Sequence, residues 1–131
     1  MKIVSTLVLF LTLFNGFSQS ISGKWNWQGK GGYHMSEITI EYINDHTIKG
    51  NYCSSFFNGN KIDCNKNPED FYIQMFSVSK NIYHGTFKSS FSGEIGKIRI
   101  TYNKNENTLF LEILKKPESE YYLPDNVIFK R

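Results

Sequence analysis

The stretch GNYCSSFFNGNKIDC, Gly50 to Cys64, contains both cysteines of the chain, with an Asn-Gly step between them. Asn-Gly is strongly favoured in the two-residue type I′ turn of a β-hairpin. With Asn58 and Gly59 in that turn, Cys53 faces Cys64 at a distance that a disulfide can span. The same counting puts the pair at a hydrogen-bonded position, which has the wider of the two antiparallel spacings. The stretch therefore predicts a β-hairpin closed by a disulfide.

Redox and metal chemistry are alternative uses of two cysteines, and the surrounding sequence favours neither. A redox-active pair usually has C-x-x-C spacing at the start of a helix. A zinc site needs further ligands, and His34, His46 and His84 are too far apart in sequence to form a ligand motif. We expect no metal site and no cofactor.

Motifs of catalysis are also missing from the sequence. The serine pairs lack the Gly-x-Ser-x-Gly elbow of a hydrolase, and no glycine loop that could hold a phosphate follows a strand. Carboxylate pairs such as Glu118 with Glu120 adjoin prolines in apparent loops, where solvated charge is the ordinary state. We expect no catalytic residues and no enzyme activity; an enzyme is the least favoured of three hypotheses.

The first residues have the pattern of a secretory signal peptide. Lys2 precedes an apolar run over residues 3–14, and Gly16-Phe17-Ser18 provides the small residues of a cleavage site. The apolar run is shorter than the roughly 20 residues of a membrane span. We predict a signal peptide at 1–18 and one domain at 19–131, periplasmic or secreted and not embedded in a membrane.

The charge of the predicted domain argues against a nucleic-acid partner. Removal of Lys2 leaves a net charge near +2, with basic and acidic residues interspersed. A nucleic-acid-binding surface normally shows a clustered basic stripe. We expect a small ligand or a protein of the cell envelope as the partner.

The remaining sequence has the period of β-strands and no helical period. Ile38, Ile40 and Tyr42 alternate with polar residues, and turn residues separate this run from similar ones. Seven to nine strands are expected, near 24–30, 36–43, 47–57, 60–65, 71–79, 82–91, 95–102, 108–115 and 126–130. The short connections predict an all-β fold, an antiparallel up-and-down meander that closes into a small eight-stranded barrel.

A weak internal repeat supports the meander. Residues 48–56 and 83–91 share the pattern apolar-x-Gly-x-aromatic-x-Ser-Ser-Phe. One interpretation is that two equivalent hairpins solve the same packing problem, with Gly50 and Gly85 relieving crowding at a strand bend. The other is that four residues line one interior and contact a ligand, namely Tyr52, Ser54, Phe87 and Ser89. Buried aromatic residues more often belong to a core, so the first interpretation is favoured.

Gly23-Lys24-Trp25 on the first strand, followed by Gly50-Asn51-Tyr52, resembles the opening of calycin barrels, the lipocalins and more closely the avidins. In those families the tryptophan closes one barrel end against a basic residue of the last strand. The resemblance implies that role for Gly23, Trp25 and Arg131 or Lys130, and a ligand contact for Tyr52. Biotin is not expected, because the only tryptophans are Trp25 and Trp27. The whole pattern also resembles small exported bacterial proteins, and this resemblance does not indicate any particular activity.

Two binding hypotheses follow. In the first, which the resemblance to ligand-binding barrels favours, a small apolar or amphipathic ligand occupies the barrel mouth, with Trp27, Tyr52, Ser54 and Phe87 as its lining. In the second, the barrel is a periplasmic inhibitor or immunity-type protein that binds an envelope-attacking enzyme through its loops. The run Pro117 to Pro124, with two adjacent tyrosines, is either a recognition edge or a loop that wraps the barrel.

Overall fold

The computed structural model describes residues 20–67 and 69–131 and shows nine β-strands in them. The predicted signal peptide lies outside the described residues. Among the described residues, no helix is long and apolar enough to cross a membrane. The strands are β1 (Gly23–Gly29), β2 (His34–Asn44), β3 (Thr47–Phe56), β4 (Lys61–Cys64), β5 (Ile73–Ser79), β6 (Ile82–Lys88), β7 (Ile95–Asn103), β8 (Thr108–Lys115) and β9 (Val127–Lys130).

Eight of these strands form a closed antiparallel barrel. Their order around the barrel is β2-β1-β9-β8-β7-β6-β5-β3, and pairing of β2 with β3 closes the ring. Apart from β4, strands that follow one another along the chain pair with each other, and β9 pairs with β1, so the predicted meander and its closure are confirmed. Closure gives each of these eight strands a partner on both sides, which reduces the free edges of the sheet, although β1 and β9 pair only at Asn26 and Lys130.

The ninth strand, β4, pairs with the part of β3 that extends beyond the end of β5. The first part of β3, Thr47–Gly50, pairs with β5, whereas its last part, Cys53–Phe56, pairs with β4. Among the described strands, β4 pairs with β3 alone. The barrel wall is therefore split beside β4.

The barrel interior is a packed apolar core. Apolar side chains at alternate positions point inward, because successive residues of a strand face opposite sides of the sheet. An eight-stranded barrel is just wide enough to be filled by such side chains. The largest fully buried ones are Trp25, Tyr52, Phe87, Phe129, Ile21, Ile38, Ile40, Ile48, Ile73, Met75, Ile98 and Ile100.

One end of the barrel, the terminal end, carries both ends of the described chain. The Trp25 ring is fully buried there, and its Nε1 donates a hydrogen bond of 2.8 Å to the Ile21 carbonyl oxygen. The guanidinium group of Arg131 lies 4.0 Å from the centre of the Trp25 ring. Arg131 also donates hydrogen bonds to the carbonyl oxygens of Ser20 and Ser22. Arg131 thus holds the segment that precedes β1 against the end of the barrel.

Gly23, at the start of β1, has a backbone conformation suited to glycine. Its φ angle is 126°, which side chains other than hydrogen rarely permit. A Cβ atom there would also lie 3.4 Å from an Arg131 guanidinium nitrogen. Glycine at this position therefore lets the chain turn into β1 beneath the arginine.

The predicted disulfide is present, and the predicted register is confirmed. Cys53 is bonded to Cys64, and Ser55 faces Ile62. The expected wider spacing is wrong, since the cysteine Cα atoms are only 4.1 Å apart, close to the spacing of a non-hydrogen-bonded pair. The reason is that Phe57 has a left-handed φ of 56° and joins the turn. The loop then contains four residues, which shifts the hydrogen-bond alternation by one position.

Replacing both cysteines with serine is expected to destabilise the barrel without unfolding it. The bridge joins residues 11 apart, and short loops of this kind contribute about 2–3 kcal/mol in chain-entropy models. Thermal unfolding of the double variant should show a lower Tm and an unchanged far-ultraviolet circular dichroism spectrum. An unchanged Tm, or two thiols that react with an alkylating agent in the native protein, would contradict this expectation.

The two copies of the internal repeat meet in the core. Tyr52 and Phe87, which occupy equivalent positions, pack edge to face with ring centres 6.1 Å apart. A Cβ atom on Gly50 or Gly85 would lie about 2 Å from a carbonyl oxygen of the neighbouring strand. Both glycines therefore allow close approach of two strands, so they serve packing as expected, but the crowding lies between strands and not at a strand bend.

Candidate binding surface

The barrel end opposite the chain termini is here called the loop end. It is formed by the connections β1–β2, β3–β4, β6–β7 and β8–β9. Two features dominate the loop end: a buried aspartate and a cluster of aromatic side chains.

The buried aspartate, Asp63 of β4, holds the loop end together. Its carboxylate accepts hydrogen bonds from the Tyr52 hydroxyl at 2.8 Å and from the Tyr122 backbone N–H at 2.8 Å. It also accepts bonds from the backbone N–H and the hydroxyl of Ser90. Asp63 has no exposed surface. One side chain thus connects β4 to β3, to the β6–β7 connection and to the β8–β9 connection.

The buried position next to Asp63 changes the ionisation of the Tyr52 hydroxyl. Burial, reinforced by the nearby Asp63 carboxylate, raises the pKa of the Tyr52 hydroxyl far above its ordinary value. The same hydroxyl is 3.1 Å from the Lys88 carbonyl oxygen. Tyr52 is therefore a neutral donor within the fold, with protein acceptors on hand.

Three of the four residues predicted to line a ligand cavity lie in the core. Tyr52, Ser54 and Phe87 are each at most 2 % exposed. The Ser54 hydroxyl is 2.8 Å from that of Ser36, and the Phe87 ring packs edge to face on Tyr121. These side chains already have protein partners.

Trp27, the fourth predicted lining residue, lies nearer the loop end and is only half-buried. Its ring centre is 6.1 Å from that of Phe56. A Cβ atom on Gly29 would lie 2.6 Å from the Trp27 ring, so glycine makes room for the indole. Trp27 also borders a groove of about 360 Å³ on the outer wall, together with Met35 and Glu37.

Above Trp27, aromatic side chains form a continuous cluster, here called the aromatic rim. Neighbouring ring centres are 4.6–6.4 Å apart, and most pairs meet edge to face, a favourable geometry for aromatic rings. The aromatic rim consists of Tyr33, His34, Phe56, Phe57, Phe91 and Tyr122. It brings together four separate connections or strand ends.

Much of the aromatic rim faces solvent. Tyr33, Phe57 and Phe91 are 43 %, 40 % and 44 % exposed. Met35 and Ile62, on the adjoining outer wall, are 43 % and 58 % exposed. Contiguous exposed apolar surface of this kind marks interaction sites in soluble proteins.

Phe57 is held in a conformation that phenylalanine rarely adopts. Its φ of 56° is left-handed, which costs a residue with a side chain about 1–2 kcal/mol relative to the right-handed form. The Phe57 N–H donates to His34 Nδ1 at 3.2 Å, and the Asn58 N–H donates to the Tyr33 carbonyl oxygen at 2.9 Å. The two connections together fix the position of the exposed ring.

The segment Pro117 to Pro124 has both of the roles that its sequence left open. Pro117, Leu123 and Pro124 are buried, so the segment wraps the barrel. Tyr121 packs on the core, whereas Tyr122 belongs to the aromatic rim.

Glu120 fixes the same segment at the loop end. Its carboxylate accepts a 2.6 Å bond from the Tyr122 hydroxyl and pairs with Lys61 of β4 at 3.1 Å. These two contacts lower the pKa of Glu120. The segment is thus attached to β4 through Glu120 as well as through Asp63.

Sequence reasoning missed the aromatic rim and the role of Asp63. A signal for the rim was the pair Phe56-Phe57, since two consecutive strand residues cannot both point inward. The histidines do not meet: His34 is in the rim, His46 precedes β3, and His84 lies within β6.

The chain was compared with protein-family profiles, with curated protein sequences and with solved structures, and none of them matched.

Proposed function

We propose that this protein is a non-enzymatic, extracytoplasmic binding protein that recognises a protein partner through its aromatic rim. The observation that carries the proposal is the exposed Phe57 ring, held in a costly left-handed conformation by its neighbours. Strain that the surrounding structure maintains is concentrated at functional sites. Tyrosine and other aromatic residues are also enriched in the energetically important parts of protein interfaces.

The rigidity of the surface supports a protein partner. The disulfide and the Asp63 carboxylate fix the β3–β4 hairpin, which carries Phe56 and Phe57. A surface that is ordered before binding loses little conformational entropy in a complex. An inhibitor or immunity-type protein against an enzyme that attacks the cell envelope is the specific role we propose.

A small amphipathic ligand near the barrel mouth is the second proposal. Its support is Trp27, which borders the groove of about 360 Å³ beside the rim. This volume falls within the range of small-molecule sites. Because Tyr52, Ser54 and Phe87 are buried, such a ligand would bind on the outside of the barrel and would not contact them. Their burial therefore favours the protein partner.

We also propose that this barrel is related to the calycins. Its support is the packing of Arg131 over Trp25 at the terminal end, the contact that the resemblance implied. The glycine that opens β1, Gly23, also borders Arg131. The eight-stranded meander is compatible with that relationship.

The proposed function is tested by changing Phe57 to glycine. Glycine adopts a left-handed φ without strain, which offsets part of the lost ring contacts, so the barrel should stay folded. Loss of a central interface aromatic should weaken partner binding at least about tenfold. Phe76→Ser is the matched control, because Phe76 is a 55 % exposed phenylalanine of β5, outside the aromatic rim.

Photo-crosslinking in the host supplies the partner for this test. A photoreactive phenylalanine analogue at position 57 or 91 should give an adduct with a second polypeptide, and the same analogue at position 76 should not. Equal adducts at all three positions, or unchanged binding by the Phe57→Gly variant, would contradict the proposal.

A further inference from the structure

We infer that the free edge of β4 accepts an extended peptide segment of the partner as an added β-strand. This inference rests on the proposed function, because it states what part of a protein partner the loop end receives. It begins from the split in the barrel wall, where β4 pairs with β3 alone among the described strands. An unpaired strand edge presents backbone donors and acceptors that another strand can satisfy.

The spacing of the cysteines shows which backbone groups face the free edge. A Cα separation of 4.1 Å indicates that Cys53 and Cys64 form a non-hydrogen-bonded pair. The N–H and C=O groups of Cys64 therefore point away from β3. Hydrogen-bond direction alternates along a strand, so the same holds for Ile62, two residues earlier.

A cleft lies beside this edge. It has a volume of about 580 Å³, and its lining includes Ile62 and Cys64 of β4 and Ser90 and Phe91 of the β6–β7 connection. Tyr72 also lines it. The four residues of β4 span about 13 Å at the usual rise per residue. The cleft thus offers both a backbone edge and space for a short extended chain.

The side chains around the cleft suit a peptide with apolar residues and an acidic group. Ile62 and Phe91 are among the most exposed apolar residues of the loop end. Lys66 supplies a positive charge, and none of the described residues that line the cleft is acidic. In strand addition the backbone bonds provide affinity, and the alternate side chains provide specificity.

The cleft and the aromatic rim are continuous. The ring centre of Phe91 lies 5.5 Å from that of Tyr122, so Phe91 belongs to both. Asp63 anchors the inner side of β4, and the disulfide fixes its end. β4 is therefore an edge strand held rigidly enough to act as a template.

The test uses the mature, disulfide-bonded protein and a phage-displayed library of linear peptides of about twelve residues, slightly longer than an ordinary strand. Selected peptides should slow amide hydrogen exchange at Ile62 and Cys64. Ile62→Pro removes one outward N–H at an edge position that tolerates proline, and should weaken peptide binding at least about tenfold. Ile62→Thr, which keeps the N–H, should retain most of the binding.

A second measurement does not depend on any protein variant. N-methylation of a selected peptide at alternate residues should abolish binding, whereas N-methylation at the intervening residues should leave it intact, because only every second N–H faces β4. A library without binders, binders that tolerate Ile62→Pro, or N-methylation effects without alternation would overturn the inference.

Failure of this inference is distinguishable from failure of the proposed function. A crosslinked partner that depends on Phe57 but tolerates Ile62→Pro would overturn strand addition and leave the aromatic rim as the binding surface. A partner that tolerates both Phe57→Gly and Ile62→Pro would overturn both.

Discussion

Replacing Trp25 with alanine is expected to lower the free energy of unfolding by about 3–5 kcal/mol, the usual cost of removing a large core aromatic side chain. The indole is fully buried, hydrogen-bonded to the Ile21 carbonyl oxygen and covered by the Arg131 guanidinium group. Its loss leaves a cavity at the terminal end and releases the segment before β1. Denaturant unfolding, compared with the native protein, measures this effect.

Arg131→Met separates the contribution of the cation from that of packing. Methionine keeps an apolar stem over the indole but loses the charge and the bonds to Ser20 and Ser22. We expect a smaller loss, about 1–2 kcal/mol. A Trp25→Ala variant as stable as the native protein would show that the indole does not close the barrel end.

Replacing Asp63 with alanine is expected to have an effect of similar size, about 3–5 kcal/mol. The change leaves the Tyr122 N–H and the Ser90 N–H without their carboxylate acceptor, and it leaves the Tyr52 hydroxyl with the Lys88 carbonyl oxygen as its remaining acceptor. Each buried donor without a partner costs about 1–3 kcal/mol. Amide hydrogen exchange should rise first in β4 and in the connections that Asp63 joins.

Asp63→Asn is the matched control for the Asp63→Ala variant. The amide has nearly the same shape and keeps one acceptor oxygen, but its NH₂ group faces donors in place of the second oxygen. Its stability should lie between that of the native protein and that of the Asp63→Ala variant. If Asp63→Ala and Asp63→Asn both unfold like the native protein, Asp63 does not organise the loop end.

The sequence was sufficient to predict the strands and their order, because both depend on local signals. Alternating apolar residues marked the strands, and the Asn58-Gly59 step gave the register that joins Cys53 to Cys64. The spacing of that pair was not predictable, since it depends on the left-handed conformation of Phe57. That conformation is stabilised by contacts with the β1–β2 connection, which lies more than twenty residues earlier in the chain.

The loop end was less predictable for a related physical reason. Asp63, Ser90 and Tyr122 are far apart in sequence and meet only after the barrel has closed. Strand periodicity defines which face a residue occupies, but it does not define how loops pack against one another. An aspartate in a short predicted strand, with lysines and asparagines around it, carries no sequence signal of burial, although in the fold it is fully buried.

Of the four residues predicted to line a ligand cavity, three lie in the barrel interior and one lies near the surface. Tyr52, Ser54 and Phe87 face inward as their strand period indicates, but side-chain volume decides whether an interior is a cavity or a core. In this barrel the aromatic side chains of the two repeat copies, Tyr52 and Phe87, help to fill the interior. Trp27 remains near the surface because it lies at the loop end of β1, beneath Phe56.

Native mass spectrometry of the protein purified from its own host tests the central proposal most directly, because it distinguishes a protein partner from a small ligand. A packed interior and an exposed aromatic rim predict a complex with a second polypeptide in fixed stoichiometry, reduced in the Phe57→Gly variant. A small molecule bound to the purified protein, retained equally by the native protein and the Phe57→Gly variant, would contradict the proposal.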